Sequence, residues 1–532
     1  MHLAPSTAWA WLIACAVVIL LFPLATQFGN LKGKLSSFRT WVWAIALLGI
    51  VAAGFMPFTF DADIAYFEVQ PFIFFITGAL LGVLFLGEFH RMNAQKKLKH
   101  PQRVHAERRT RYSKAVEQLA YPNPAVRASA ISTLAGLVDE WLADEQLSVE
   151  ARQKEGQVVV NALCAYVRSP FARAFKAEAF ESDAPPANYA GDFATDLAAF
   201  RGEQDVRRSV FVEMSKRSST LAENEKGEVV VVPGVWSGFE FDFSRAVVFY
   251  PLDGLTIENA DFSAAKFCNG SDFSGAAFVG DANFTRAVFN QDARFSDVTF
   301  MGAADFSNTR FAGDAFFRWV AFSSNADFRE ASFGGDADFH DTAFAEDAGF
   351  SGASFEGSAG FFRSSFGGNA SFFRTDFAGV AEFREAVFEG HAGFNAATFY
   401  GDAHFSRATF EGLAGFRDAA FEAGAEFYGA SFVQTADFCD SSFVKSPPLF
   451  AAKNVESGEV YRARFAALSA GLEATGQEAH NFAVYEDSQP IPLGTAGLNG
   501  VGYRIPVSTV LFDPASWDER QKEYTRFSEP AQ

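Results

Sequence analysis

The sequence has little cysteine, no proline in its centre and fewer basic than acidic residues. No proline occurs from Leu252 to Ser446, although the chain of 532 residues contains 19. The 44 basic against 64 acidic residues give a net charge of −20, which argues against nucleic-acid binding, because phosphate contacts need a cationic face. The four cysteines are too scattered for a disulfide framework or a zinc ribbon. They are Cys15, Cys164, Cys268 and Cys439.

Three apolar runs without a charged residue lie near the N-terminus, at 8–27, 40–60 and 71–87. Their lengths are close to the roughly 20 residues that a helix needs to cross a bilayer. The first run lacks a preceding basic region and is soon followed by the second, which argues against a cleaved signal peptide. The sequence therefore predicts a transmembrane domain at 1–89 with three spanning helices.

The distribution of basic residues predicts the orientation of these spans. Lys32, Lys34 and Arg39 lie between the first two runs, and a basic juxtamembrane segment at 90–104 follows the third. The positive-inside rule then predicts a multi-pass protein of the bacterial inner membrane, with its N-terminus outside and its solenoid and C-terminus in the cytoplasm. The basic side chains expected to face anionic lipid are Arg91, Lys96, Lys97, Lys99 and Arg103.

Helical periodicity characterises residues 105–218. Apolar residues recur at helical spacing from Val126 to Trp141, and the run 158–167 indicates a more buried helix. Pro122 and Pro124 interrupt the pattern, because proline lacks a backbone donor and restricts the residue before it. We expect an α-helical neck without chemistry of its own.

An eleven-residue repeat dominates the rest of the chain. Phenylalanine recurs from Phe262 to Phe438, and a second Phe follows each of these after five residues, which makes 17 units and 34 Phe. The residue two before each Phe is small, as expected for short extended segments whose alternate side chains face one interior. The spacing requires a turn between successive Phe and therefore predicts a β-solenoid at 240–446. Its expected structural core includes Phe262, Phe267, Phe284, Phe306, Phe328, Phe350, Phe372, Phe394, Phe416 and Phe438.

Turn-forming residues occupy the longer gaps between successive Phe, as in Gly313-Asp314 and Gly335-Asp336. Glycine accepts positive φ, and aspartate accepts hydrogen bonds from its own nearby backbone. Three aspartates recur at a constant interval of two repeat units, either as a cation site or as solvated turn formers. Turn formers are favoured, because Ser358, Val380 and Gly424 continue the same series. The three aspartates are Asp292, Asp314 and Asp336.

These repeats resemble the pentapeptide-repeat family. The blocks 260–263 (Ala-Asp-Phe-Ser) and 282–285 (Ala-Asn-Phe-Thr) follow its pattern of Ala, Asp or Asn, Leu or Phe and polar residues. The resemblance implies a right-handed quadrilateral β-helix with four sides and two eleven-residue units per coil, which would stack the three aspartates above one another at one corner. The chain looks like the Phe-rich eleven-residue variant in a membrane-anchored bacterial member, and the resemblance covers about 105–443. Residues 447–532 are expected to form a C-terminal cap and tail, because an open terminal coil would expose strand edges.

No phosphate loop, nucleophile elbow or metal-ligand spacing appears, and His340, His391 and His404 share no coil position. We therefore expect a non-enzyme with no catalytic residue, cofactor or metal. The favoured function is a membrane-anchored scaffold whose cytoplasmic solenoid binds a protein partner. One alternative is a self-assembling membrane effector or channel with a sensing solenoid. Another is a DNA-mimic rod acting on a topoisomerase, since 251–450 holds 28 acidic and 12 basic residues, a net charge of −16. A homo-oligomer is compatible with the sequence.

Overall fold

The computed structural model describes Gly49 and residues 70–224, 229–454, 458–468 and 480–532. The chain divides into two units, Met1–Thr110 and Arg111–Gln532. Helix α1 (Gln70–Gln118) begins in the first unit and ends in the second.

The predicted three-helix transmembrane segment is wrong, and so is the predicted multi-pass location in the inner membrane. Among the residues that the structure describes, no helix has the length and apolar character needed to cross a bilayer. The third predicted span, 71–87, lies within α1, where the apolar run is shorter than roughly 20 residues and the helix continues through the basic segment 90–104. The predicted spans 8–27 and 40–60 lie outside the described residues, apart from Gly49.

Among the described residues, three further α-helices and a 3₁₀ helix lie between α1 and the solenoid. They are α2 (Pro124–Leu142), α3 (Val149–Arg168), the 3₁₀ helix Ala172–Phe180 and α4 (Phe193–Ser215). The side chains of Asn123, Ser148 and Asp192 cap the N-termini of α2, α3 and α4 by accepting a backbone N–H from the first turn. Such caps satisfy donors that have no partner within the helix and so fix where each helix begins.

These helices pack directly on the first coil of the solenoid. The ring of Phe211 on α4 lies 4.6 Å from that of Phe243, and the amide of Gln157 on α3 donates to the Glu240 carbonyl at 2.8 Å. A hairpin of Thr220–Glu223 and Val229–Val232 follows α4. The helices therefore cover the N-terminal end of the solenoid, where unpaired strands would otherwise face solvent.

The predicted β-solenoid is present as four parallel sheets of very short strands, with 10, 10, 8 and 11 strands. Each regular coil contributes one strand to each sheet. The first sheet contains Phe241–Asp242 and then the strands from Ala260–Asp261 to Ala436–Asp437, and the second contains Val247–Val248 and then those from Lys266–Phe267 to Ser442–Phe443. The third runs from Ser271–Asp272 to Ala425–Glu426. The fourth contains Thr256–Ile257, the strands from Ala277–Phe278 to Ser431–Phe432, and finally Arg464–Ala466 and Val510–Phe512.

Backbone hydrogen bonds join each coil to the next in a constant register. Ala282 pairs with Ala304, and the Phe262 N–H donates to the Asn283 carbonyl at 2.7 Å. Since every strand needs donors and acceptors on both sides, proline cannot be accommodated in this ladder. This accounts for its absence from Leu252 to Ser446.

The phenylalanine side chains form four continuous columns in the interior. Phe306 stacks on Phe328 with centroids 4.9 Å apart and planes 1° from parallel, and it meets Phe317 of the opposite column edge-to-face at 5.6 Å. Both arrangements suit the quadrupole of the aromatic ring. The small residue two positions before each Phe is also buried, for example Ala304 at 1% exposure, which leaves room for the rings.

The corners of the coil differ from the prediction. Positive φ occurs two residues after the Phe of the first and third sheets, for instance at Asn308 (58°) and Trp319 (55°), and not at the Gly-Asp pairs. A Cβ at Gly335 would lie 2.7 Å from the carbonyl carbon of Gly313, one coil earlier. Glycine at position 335 therefore permits the close approach of successive coils, and its freedom in φ is not used.

The C-terminal residues continue the aromatic columns beyond the last regular coil. Phe465 stacks on Phe432 at 4.9 Å, and Phe450 stacks on Phe427 at 5.2 Å. The remaining strands form antiparallel pairs: Ala451–Lys453 with Val460–Arg462, Leu493–Leu498 with Val501–Pro506, and Trp517–Asp518 with Glu523–Tyr524. A short 3₁₀ helix spans Pro514–Ser516.

Candidate interaction groove on the third sheet

Functional groups on the solenoid lie on its outside, because the Phe of each periodic position and its small partner point inward. On the third sheet the residue before each Phe faces outward, and this column varies from coil to coil. It consists of Asp272, Arg294, Phe316, Asp338, Gly360, Glu382, His404 and Glu426. The column differs from that of the fourth sheet, where the outward residues are small and uncharged. Those are Ala277, Thr299, Ala321, Ala343, Ser365, Val387, Thr409 and Ser431.

Ion pairs are concentrated on the third sheet and the corner that follows it. Eight pairs join residues of 260–446 within the described chain, and six of them lie there. Arg384 contacts Glu382 at 2.5 Å, and this carboxylate raises the pKa of the Arg384 guanidinium through its hydrogen bonds. His404 lies 2.9 Å from Glu426. These pairs are partly exposed, so each contributes little to stability and their main effect is to shape the surface.

A hairpin of the C-terminal region turns this surface into a groove. We call Ala451–Lys453 and Val460–Arg462 the side hairpin. Ala452 and Tyr461 are cross-strand neighbours, and both line the space between the hairpin and the third sheet. The groove has a volume of about 750 Å³.

The floor of the groove is a single repeat position seen in five successive coils. It is the residue after the Phe of the third sheet, namely His340, Phe362, Arg384, Ser406 and Tyr428. Above Arg407, at the edge of the floor, the ring of Tyr461 lies with its centroid 4.7 Å from the guanidinium carbon. Arg407 also contacts Glu385 at 3.4 Å. Arginine and tyrosine at the centre of a groove are typical of protein-binding surfaces.

The stacked corner aspartates act as turn residues. The carboxylate of Asp292 accepts the N–H of Asp314 at 3.1 Å, and Asp314 accepts that of Asp336 at 2.9 Å. The hydrogen bond thus runs to the next coil and not to the nearby backbone that the sequence suggested. Within the described chain, no group of three or more His, Cys, Asp and Glu side chains is arranged to hold a metal ion.

The three histidines of the repeats lie in different surroundings. His340 lines the groove 3.3 Å from Asp338, whereas His404 pairs with Glu426 on the same sheet. His391 lies at the corner between the fourth and first sheets, where its Nδ1 accepts the Leu413 N–H at 3.0 Å. It therefore occupies the acceptor position that aspartate fills in other coils.

The remaining sequence-selected residues lie in the interior or on α1. All ten selected core phenylalanines, from Phe262 to Phe438, have at most 1% of their surface exposed. Arg91, Lys96, Lys97, Lys99 and Arg103 lie along α1, and their contact with lipid stays a prediction. Sequence analysis missed the groove, although Phe362 and Tyr428 are large aromatic residues at a repeat position that is more often small or polar.

The fold is that of a four-sided parallel β-solenoid repeat protein. A family model described as pentapeptide repeats (9 copies) matches residues 295–343 and 372–419. No curated protein and no solved structure matches the chain. The predicted resemblance to pentapeptide repeats is thus confirmed, and the matched residues lie within the four sheets described above.

Proposed function

We propose that this protein is a non-enzymatic scaffold that binds a protein partner in the groove between the third sheet and the side hairpin. The main support for this proposal is the groove, because it combines a rigid floor with arginine and aromatic side chains on a surface that is otherwise regular. The regular ladder of hydrogen bonds holds the floor residues at fixed spacing, so a partner meets a preorganised surface.

The charge of the solenoid supports this function over the DNA-mimic alternative. A DNA mimic needs a continuous anionic surface, whereas arginine–carboxylate pairs interrupt the acidic residues at intervals along the rod. The pairs are Arg318–Asp338, Arg329–Asp327, Arg363–Asp341, Arg384–Glu382, Arg407–Glu385 and Arg417–Asp437.

A pair of tryptophan substitutions tests this function. Ala452→Trp should fill the groove, because Ala452 lines it opposite the third sheet. Thr398→Trp places the same side chain on the second sheet, on the outward side of its strand. We expect crosslinked affinity purification from the native host to recover one stoichiometric partner with the wild type and Thr398→Trp, but not with Ala452→Trp. Equal recovery with all three proteins would contradict the proposed role of the groove.

A further inference from the structure

The floor of the groove is long and narrow. Its five floor residues, His340 to Tyr428, come from five successive coils, so the column spans four steps of about 4.8 Å, or roughly 19 Å. An extended peptide advances about 3.4 Å per residue, so five or six residues would fill this length. The shape therefore suits an extended segment better than a compact small molecule.

The described residues that line the groove also differ in charge from the rest of the solenoid. Among the described residues that line it, Arg384, Arg407 and Lys453 are positive and Glu382 and Glu385 are negative, which gives a net charge of +1 with His340 neutral. Residues 251–450 as a whole carry −16. The described lining of the groove is thus much less acidic than the rod around it.

Arg407 has the geometry of a carboxylate receptor. Its guanidinium is held over the ring of Tyr461, and its one ion-pair contact among the described residues is the 3.4 Å approach of Nη1 to Glu385. Half of its side chain is exposed. A guanidinium packed over the face of an aromatic ring can still donate two parallel hydrogen bonds to a carboxylate.

We infer that the groove holds an extended peptide segment of five or six residues, and that a carboxylate of this segment pairs with Arg407. The inference rests on the proposed function and adds the chemistry of the partner. A nucleic acid would also present anions, but its many phosphates would be repelled by the −16 charge of the rod, whereas a peptide brings one or two carboxylates.

The test is fluorescence anisotropy of the full chain with labelled hexapeptide pools. Each pool is fixed at one position as Asp, Glu, Asn, Gln, Lys or Arg, and a labelled six-nucleotide oligothymidylate is a separate probe. We expect the Asp and Glu pools to bind and the Asn, Gln, Lys and Arg pools and the oligonucleotide to bind at least about tenfold more weakly, since a charged hydrogen bond is lost.

Arg407→Gln and Arg417→Gln form a matched pair of variants. Both arginines have half-exposed side chains and one acidic partner, but Arg417 pairs with Asp437 beside the first sheet. We expect Arg407→Gln to weaken binding of the Asp and Glu pools about tenfold, and Arg417→Gln to leave it unchanged. If Arg407→Gln fails to fold, Tyr461→Leu removes the stacking ring and should weaken the same pools.

Three results would overturn the inference: no pool binds, the amide or basic pools or the oligonucleotide bind as well as the acidic pools, or both arginine variants lose binding equally. A neutral or basic pool could bind to the wild type and fail to bind to Ala452→Trp. That result would contradict the inferred carboxylate but would agree with the proposed function of the groove. A partner that Ala452→Trp still captures would instead contradict the proposed function.

Discussion

The ring of Phe350 stacks on that of Phe372 with centroids 4.9 Å apart and planes 4° from parallel. Phe350 stacks equally on Phe328, one coil earlier, at 4.9 Å. Each interior ring is thus held in place by contact with the rings of the coils on both sides. The floor residues of the groove come from successive coils and therefore have the same regular spacing. For this reason the floor is a rigid surface.

Removal of one interior ring should destabilise the solenoid strongly. Phe350→Ala leaves a cavity between two stacked rings and should lower the free energy of unfolding by about 3–5 kcal/mol, as measured by denaturant titration. Phe373→Ala is the control, because this side chain is 43% exposed and faces outward. A Phe350→Ala protein as stable as the Phe373→Ala protein would show that the columns do not carry the stability.

Replacement of Gly352, which has a positive φ at a corner of the coil, should lower the free energy of unfolding. Gly352 has φ 68°, and a Cβ there would meet nothing closer than Glu330 Cγ at 3.6 Å, so any cost of Gly352→Ala comes from the backbone conformation. We expect a loss of about 1 kcal/mol in thermal or denaturant unfolding. Gly393→Ala is the control, since Gly393 has no positive φ and its nearest contact is at 3.9 Å. An equal effect of both substitutions would contradict this interpretation.

The corner aspartates should be replaceable by asparagine but not by alanine. Asp314→Ala removes the acceptor for the Asp336 N–H, whose distance to Asp314 Oδ1 is 2.9 Å, and should cost about 1 kcal/mol of unfolding free energy. Asp314→Asn keeps an oxygen in the same place, as Asn369 does for His391. We expect Asp314→Asn to unfold within a few tenths of a kcal/mol of the wild type. A larger loss with asparagine than with alanine would indicate that the charge matters and not the hydrogen bond.

The C-terminal region should lose stability in acid because of His480. Its Nδ1 accepts the Ala436 N–H at 3.2 Å, and burial lowers the pKa of His480 from 6.5 to about 4. The folded chain therefore binds fewer protons than the unfolded chain between these values. The contribution of His480 to the free energy of unfolding is fully present above about pH 6.5. It decreases as the pH falls toward 4, by about 3 kcal/mol in total.

The measurement for His480 is chemical unfolding as a function of pH. His480→Gln retains one donor and one acceptor but does not titrate, so the difference in unfolding free energy between wild type and variant should change between pH 6.5 and pH 4. Parallel pH profiles for the two proteins would contradict the assignment of a buried neutral histidine.

The repeat could be predicted from sequence because its signal is strictly periodic. Phe at spacings of five and six, with a small residue two positions before, predicts a β-solenoid, and the resemblance to pentapeptide repeats implies its four sides. The chemistry of the corners could be predicted only in part. Gly335 faces the carbonyl carbon of Gly313, which belongs to the preceding coil, and a local turn pattern contains no information about such an approach.

The N-terminal region and the groove could not be predicted from the sequence, for two different reasons. The apolar run 71–87 has the composition of a span, but it belongs to one long helix, α1, with a basic continuation. The groove depends on the contact of Arg407 with Tyr461, and Tyr461 belongs to the side hairpin, outside the repeat that contains Arg407. Periodicity predicts the residues that all coils have in common. The groove is formed by residues that occur in single coils and in the side hairpin.

The most direct test of the account is site-specific photo-crosslinking in cells of the native host. A benzophenone side chain placed at Tyr428, on the floor of the groove, should yield one discrete adduct with a protein partner, and that adduct should disappear when Ala452→Trp is added. The same group at Thr398, on the second sheet, should yield no such adduct. An adduct at Thr398 but not at Tyr428 would contradict the assignment of the groove as the partner-binding site.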